Sequence, residues 1–140
     1  MRGCTQGCSH TGSVIVLDTA AFISGKATAF RDCLATTHSV ISEVRDRYSL
    51  AILETLQSVG RLEVVDVPRT WVDRAIKAAK NSKVLGRLSG TDLEVLALAI
   101  GLKECGIDVA VATDDYSLQK ASMSAGVRVV RLRYKGVGNS

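Results

Sequence analysis

The chain has 140 residues, enough for one ordinary domain with its own buried core. Its apolar residues are mainly Ala, Val and Leu with only 4% aromatics, which is typical of helices packed on a parallel sheet. No apolar segment approaches the roughly 20 residues that span a bilayer, and no signal-peptide pattern is present. These features argue against a membrane protein and favour a cytoplasmic one, while the net charge of +4 is mild evidence for an acidic partner.

Residues 1–13 are rich in Gly, Ser and Thr, and we expect a flexible leader or a tag there, followed by a single domain at residues 14–135. Cys4, Cys8 and His10 in this leader are potential zinc ligands, but no fourth ligand with matching spacing follows them. The four cysteines of the chain also lack the spacing of a disulfide framework. We therefore interpret the segment as a leader rather than as a zinc site.

The first part of the domain contains one clear strand. Residues 14–17 are a short apolar run without alternation, which predicts a strand covered on both faces. Short helical pieces are predicted at residues 20–23 and in the stretch beyond Gly25. Ser39 is expected to cap the next helix, and a further helix is predicted at about residues 49–58.

The middle of the chain alternates between strand and helix patterns. Residues 62–67 alternate in polarity, which predicts a strand that ends before Pro68. Apolar residues from Trp71 to Ala79 recur at helical spacing, and residues 81–90 are predicted to form a loop.

The last third has the clearest pattern. Ser89 or Thr91 can cap a helix that is apolar nearly all round after its first turn and should therefore be buried. Residues 107–112 predict a second buried strand, a helix of about ten residues follows as far as Gly126, and residues 127–134 predict a last strand. This alternation implies right-handed crossovers. We therefore predict an α/β fold, a three-layer α/β/α sandwich with a central parallel sheet.

Acidic residues lie where these predicted strands end, and ligands of open α/β sheets bind beyond that edge. Asp18 follows the first strand, and Asp114 and Asp115 follow the second buried strand. Asp92 opens the buried helix, while Glu43 lies about one turn into its own helix. Several carboxylates brought together cost free energy unless a cation neutralises them, and oxygen ligands suit Mg²⁺ or Mn²⁺. The pattern indicates a site for one or two such ions, which could hydrolyse a phosphodiester.

Each acid also has a structural interpretation. Asp92 lies in the first turn of its helix, where the macrodipole favours an acid, and Asp114 or Asp115 can cap the helix that follows. Glu43 can pair with Arg47 at i+4 on a solvated face. Asp18 is harder to explain in this way, because an acid directly after a buried strand is poorly placed for an ion pair. His38 has no evident partner in the sequence and is interpreted as structural.

At these residues the chain resembles the PIN-domain ribonucleases. The resemblance rests on four segments that together cover about residues 14–134: residues 14–19, 42–44, 88–92 with the helix that follows, and 111–115. It implies a metal-dependent endoribonuclease that uses Mg²⁺ or Mn²⁺. It also implies four catalytic, metal-binding acids, namely Asp18, Glu43, Asp92 and Asp115. In the family the last acid stands two residues after a threonine, which favours Asp115 over Asp114 as ligand, with Thr113 as a hydrogen-bonding neighbour.

Residues 88–99 and 113–119 are most similar to the Nob-type endonucleases that mature the 3′ end of small-subunit ribosomal RNA. This similarity implies ribosomal RNA or the pre-ribosome as partner. That subgroup continues into a zinc ribbon whose first cysteine would stand near residues 134–136, where this chain has Tyr-Lys-Gly. The toxin ribonucleases of toxin–antitoxin pairs are therefore the alternative within the fold. A PIN fold that only binds RNA or protein is a further alternative, and a homodimer is left open.

Two groups of basic residues are candidate contacts to RNA phosphates. They are Lys80, Lys83 and Arg87 before the buried helix, and Arg131 and Arg133 in alternation along the last strand. A solubilising surface and protection of the sheet edge explain them equally well. Two other enzyme classes with a similar sheet are disfavoured. A receiver domain needs paired acids after the first strand, and a dehalogenase-type phosphatase needs a second Asp where this chain has Ala20.

Overall fold

A computed structural model of the chain describes residues 13–132. The predicted leader, the group formed by Cys4, Cys8 and His10, and Arg133 lie outside the described residues, apart from Ser13. Within the described part of the chain, every helix is too short or too polar to cross a bilayer.

Five parallel strands form one sheet in the order β3-β2-β1-β4-β5. Their bounds are β1 Ser13–Leu17, β2 Cys33–Thr37, β3 Leu62–Val65, β4 Asp108–Ala112 and β5 Arg128–Val130. The central strand is β1, in which Ile15 is in register with Leu34 of β2 and Ala110 of β4. From β1 the sheet grows to one side through β2 and β3, and to the other side through β4 and β5, so the direction of the connections changes between β1 and β4. A crevice forms beyond the carboxyl ends of two such strands.

Helices cover both faces of this sheet. They are α1 Thr19–Ile23, α2 His38–Glu43, α3 Arg47–Ser58, α4 Arg69–Asn81, α5 Gly90–Glu104 and α6 Tyr116–Ser124, with short 3-10 helices at Lys26–Ala29 and Leu85–Arg87. α1 contacts α2 and α3, whereas α4, α5 and α6 pack on one another. The predicted three-layer α/β/α sandwich with a parallel sheet is confirmed.

The buried helix predicted in the last third is α5. Its residues from Val95 to Leu102 are all buried between the sheet and the helices of its own layer. Ser89 caps this helix, as one of the two expected residues, and forms a capping box with Asp92. Asp92, in the first turn of α5, is close enough to repel the carboxylate of Asp18, so α5 begins at the edge of the sheet where β1 ends.

Gly101 lies in α5 where the indole ring of Trp71 from α4 packs against the helix. A Cβ atom at Gly101 would overlap the ring carbons of Trp71. Because the ring is rigid, we expect Gly101→Ala to lower the free energy of unfolding by about 1–3 kcal/mol, although alanine favours helices. Urea denaturation checks this against Gly86→Ala, where a Cβ would meet no atom within 4 Å. Equal stability of the two variants would contradict this packing.

β2 is not among the strands that the sequence patterns predict. Its five residues, Cys-Leu-Ala-Thr-Thr, are all buried, yet they neither alternate nor form an apolar run. Thr36 can be buried because its hydroxyl donates a hydrogen bond to the carbonyl oxygen of Leu17 (2.8 Å). The neighbouring strands therefore determine that these residues form a strand, because their own pattern predicts none.

The cap predicted for α2 is wrong. Thr37, not Ser39, is the N-cap, because its Oγ1 accepts the backbone N–H of Val40 (3.2 Å). Ser39 lies inside the first turn instead. The chain leaves β2 directly into α2, so the last residue of the strand is already in the extended conformation that an N-cap needs.

The strands predicted for the two edges of the sheet are longer than β3 and β5, which the structure shows there. β3 ends at Val65 rather than at residue 67, and β5 covers Arg128–Val130 rather than residues 127–134. Val130 pairs with Ala112, the last residue of β4, so the partner strand limits the length of β5. Arg131 follows the strand, and Arg133, with which it is predicted to alternate, lies outside the described residues.

Candidate active site at the carboxyl edge of the sheet

Asp18 is the only buried carboxylate among residues 13–132, with 8% of its surface exposed. It follows β1 directly and caps α1, its Oδ1 accepting the N–H of Ala21 (3.3 Å). Burial raises the pKa of Asp18 from 3.8 to about 6. Hydrogen bonds from Thr113 and Ala21 lower that pKa, and repulsion from Asp92 raises it further. The ionised form is therefore disfavoured at this position unless positive charge is supplied.

Thr113 connects the ends of β1 and β4. Its buried hydroxyl donates to the carboxylate of Asp18 and accepts the backbone N–H of Asp115 (3.0 Å). Its carbonyl oxygen accepts a hydrogen bond from the side-chain amide of Gln119 (2.9 Å), which is also buried. The turn after β4 is thus attached to Asp18 through one threonine.

Glu43 is the last residue of the six-residue α2, rather than one turn into a longer helix. Both of its carboxylate oxygens accept threonine hydroxyls, Oε1 from Thr19 (2.6 Å) and Oε2 from Thr91 (2.8 Å). No ion pair between Glu43 and Arg47 is found among residues 13–132. Glu43 therefore reaches the starts of α1 and α5, although it lies on a third helix.

The two threonines are functional candidates that the sequence analysis did not identify, beyond Thr91 as a possible cap. Thr19 follows Asp18 and Thr91 precedes Asp92, so each acid has a threonine beside it in the sequence. This pairing of acid and hydroxyl at two helix starts is the signal that could have identified them. It does not reveal their partner, Glu43.

Asp92 and Asp115 both lie at helix starts: Asp92 completes the capping box of Ser89 in the first turn of α5, and Asp115 is the N-cap of α6. Oδ2 of Asp92 accepts the N–H of Ser89 (2.9 Å) at the start of α5. Oδ1 of Asp115 accepts the N–H groups of Ser117 (2.8 Å) and Leu118 (3.1 Å) at the start of α6. Each cap uses one carboxylate oxygen. The second oxygen of each residue takes no part in these hydrogen bonds.

Asp114 differs from Asp115, because its Oδ1 accepts the backbone N–H of Leu132 (2.8 Å) and so holds the chain that follows β5. His38, interpreted as structural and without an evident partner in the sequence, has its Nε2 2.9 Å from Oδ1 of Asp66, and both side chains are exposed. This pair joins the start of α2 to the residue after β3.

The acids are connected at this edge but do not form a closed ligand set. Across residues 13–132, no group of three or more His, Cys, Asp or Glu side chains is arranged to hold a metal ion. Asp18 and Asp92 are close enough for repulsion, Glu43 is tied to both helix starts, and Asp115 is joined to Asp18 through Thr113. Carboxylates repel one another when no cation lies between them. This repulsion favours side-chain positions in which each carboxylate bonds to backbone N–H or threonine hydroxyl groups over positions in which all of them point to one centre.

The candidate RNA contacts within the described residues are all exposed. Lys80 lies in the last turn of α4, and Lys83 follows that helix with a φ of 64°. Arg87 ends the 3-10 helix two residues before the Ser89 cap. Arg131 lies beyond β5, next to the Leu132 segment that Asp114 holds.

Comparisons with known proteins identify the family. Residues 15–102 match the family model for the PIN domain of ribonuclease. The chain is 58% identical over 137 residues to Ribonuclease VapC3 of Aeropyrum pernix, which covers 97% of this chain and 99% of that protein. It is 38% identical over 112 residues to Endoribonuclease Nob1 of Methanothermobacter thermautotrophicus, covering 80% of this chain and 64% of that protein.

A second Nob1 protein, from Pyrococcus abyssi, is 38% identical over 120 residues, covering 85% of this chain and 68% of that protein. The family match includes Asp18, Glu43 and Asp92, the acids on the first two-thirds of the chain. With the parallel sheet and these residues at its carboxyl edge, the chain belongs to the PIN-domain ribonuclease family.

Proposed function

We propose that the chain is a metal-dependent endoribonuclease that hydrolyses RNA phosphodiester bonds. The observation that carries this proposal is Asp18, a buried carboxylate with a raised pKa beside Asp92 at the carboxyl edge of the sheet. A cation at this edge would relieve both the desolvation and the repulsion. Similarity to ribonucleases over nearly the whole chain supports the same activity.

The donor chemistry of this edge fits Mg²⁺ or Mn²⁺, since every candidate ligand is a carboxylate oxygen. The proposed ligands are Asp18, Glu43, Asp92 and Asp115, with Asp114 as the alternative to its neighbour. Asp92 and Asp115 would bind through the oxygens that their caps do not use. Such an ion supplies an activated water and neutralises the charge that develops on the phosphoryl group.

Within this arrangement the residues of the chain have separate tasks. Asp18 binds from the centre of the sheet, where its backbone is held by β1 and by the cap of α1. Thr113 holds the Asp18 carboxylate by a hydrogen bond and at the same time fixes the turn that carries Asp115. Because these groups lie directly after buried strands or at helix starts, we expect them to keep their geometry while RNA binds and leaves.

We favour a toxin-type ribonuclease, which acts in the cytoplasm and is controlled by an antitoxin protein. The 58% identity to VapC3 extends over 97% of this chain, whereas identity to Nob1 is 38% over 80% of it. The Nob1 similarity makes the maturation of ribosomal RNA the second candidate, with the pre-ribosome as partner. In either case we propose a catalytic domain at residues 14–135 after a leader at residues 1–13, of which Ser13 is already the first residue of β1.

Basic residues are the proposed contacts to the phosphates of the RNA. They are Lys80, Lys83, Arg87 and Arg131, which are exposed, and Arg133, which lies outside the described residues. Contacts of this kind release counterions, so the affinity for RNA should fall as salt increases.

Cleavage of RNA is expected to require Mg²⁺ or Mn²⁺ and to stop when EDTA is in excess. The measurement is a gel assay with structured RNAs, single-stranded RNAs and a precursor of small-subunit ribosomal RNA. Undiminished cleavage in EDTA would contradict the mechanism. A single cut at the mature 3′ end of the precursor would favour ribosomal RNA processing over a toxin. Bound metal and bound RNA without any cleavage would favour a domain that only binds.

A further inference from the structure

Glu43 lies in a position that its own helix cannot fix. It is solvent-exposed and is the last residue of α2, which has six residues. An isolated helix of this length is not stable in water, and a free glutamate side chain has up to about 2 kcal/mol of rotamer entropy to lose. A ligand in this position needs partners from elsewhere in the fold to hold its carboxylate.

Those partners are the hydroxyls of Thr19 and Thr91. Thr19 donates to Oε1 from the first residue of α1, and Thr91 donates to Oε2 from the first turn of α5. With one donor on each oxygen, the carboxylate of Glu43 is fixed in both position and rotation. Because Thr19 adjoins Asp18 and Thr91 adjoins Asp92, the two hydrogen bonds also set the spacing between Glu43 and those acids.

The other end of α2 is attached to α5 in the same chemical manner. The hydroxyl of Ser39 donates to Oε1 of Glu94 (2.8 Å) and lies 3.0 Å from Oγ1 of Thr37, the cap of α2. Both ends of this short helix are therefore joined to α5 by hydrogen bonds between a hydroxyl and a carboxylate. The position of Glu43 depends on these contacts rather than on the helix that carries it.

We propose that Thr19 and Thr91 are positioning residues, which hold Glu43 in place for binding the divalent cation without contacting that cation themselves. The proposal rests on the function proposed above. Partners of metal ligands typically change metal affinity by about 10- to 100-fold when they are removed. The hydroxyl groups should therefore matter for Mn²⁺ affinity even where the fold is unchanged.

The test is a titration of the full chain with Mn²⁺, in which binding is measured by calorimetry or by electron paramagnetic resonance. Thr19→Val and Thr91→Val keep the shape of the side chain and remove the donor, so we expect each to raise the Kd for Mn²⁺ by about 10-fold. Thr91→Ser restores the hydroxyl and should bind almost as the parent does. Thr28→Val is the matched control, because the hydroxyl of Thr28 bonds only to the nearby carbonyl oxygen of Gly25 in the contacts described.

A second measurement separates positioning from a merely structural role. If Thr91 acts through Glu43, adding Thr91→Val to a Glu43→Ala variant should weaken Mn²⁺ binding no further. The melting temperature of the metal-free Thr91→Val variant should stay close to that of the Thr28→Val control. With saturating Mn²⁺, kcat should recover.

The possible outcomes distinguish the two proposals. A parent chain that binds no Mn²⁺ would overturn both the proposed function and this inference. A parent that binds Mn²⁺, with Thr19→Val and Thr91→Val variants of unchanged affinity, would overturn the inference alone. Further weakening when Thr91→Val is added to Glu43→Ala would also overturn it, since the threonine would then act through another group.

Discussion

Asp18→Asn is expected to reduce RNA cleavage by roughly a thousand-fold, because it removes a carboxylate from the proposed cation site. A metal ion contributes several kcal/mol to stabilising a phosphoryl transition state, and each 1.4 kcal/mol corresponds to a factor of ten in rate. Asparagine has nearly the same shape and is also a good N-cap, so α1 should keep its start at Asp18. The affinity for RNA, which we propose depends on the basic residues Lys80, Lys83, Arg87 and Arg131, should change little.

Asp92→Asn should have the same effect on cleavage, since the amide oxygen can still accept the N–H of Ser89 in the capping box. The matched control is Asp108→Asn. Asp108 begins β4 at the opposite edge of the sheet and forms an exposed ion pair with Arg128, a type of contact that contributes little to stability. The experiment compares cleavage rates, RNA titrations and metal-free melting curves for the three variants. If the Asp18 and Asp92 variants unfold, both acids are structural caps and the nuclease proposal loses its main support.

The metal-free protein is expected to lose stability between about pH 4 and pH 6 on account of Asp18. The pKa of Asp18 rises from its ordinary value of 3.8 to about 6 in the folded chain, mainly through burial. The folded state therefore binds the proton of Asp18 more tightly than the unfolded state does. The resulting contribution to the free energy of unfolding is fully present below pH 3.8 and is lost as the pH rises through 6. A shift of this size corresponds to at most about 3 kcal/mol.

Other groups also titrate, such as Asp46, whose pKa is lowered by the backbone N–H of Ser49. They are the same in the parent and in the Asp18→Asn variant, so the difference in stability between these two proteins reports on Asp18. The free energy of unfolding should be similar for both proteins near pH 4. Above pH 6 the Asn variant should be the more stable of the two. Urea unfolding across this range in EDTA measures the difference. A constant difference between pH 4 and pH 8 would mean that Asp18 has an ordinary pKa in the folded chain.

Local patterns were sufficient for those elements whose environment follows from their own residues. The apolar runs of β1 and β4 predict strands covered on both faces, and the uniformly apolar α5 predicts a buried helix. The cap of α5 is also local, because Ser89 and Asp92 lie three residues apart in the sequence. Polarity and capping act over a few residues, so the chain itself encodes these elements.

Patterns failed where a distant partner determines the structure. β2 is a strand because it lies between β1 and β3, and the hydroxyl of Thr36 is satisfied by a carbonyl oxygen 19 residues away. β5 is short because β4 ends opposite Val130. Both results depend on which strands become neighbours, and no local pattern contains that information.

The sequence by itself determined the family, the parallel α/β fold and the acids that follow buried strands or open helices. Only the tertiary structure decided which of those acids are buried, which of them lie close together and which groups they bond to. The burial of Asp18 raises its pKa, and Glu43 meets Thr91 across 48 residues of sequence. Desolvation and hydrogen bonding depend on what surrounds a group in three dimensions. Residue type and spacing can therefore predict which carboxylates belong to the site. The protonation of each carboxylate and its hydrogen-bond partners depend on how the chain packs around it.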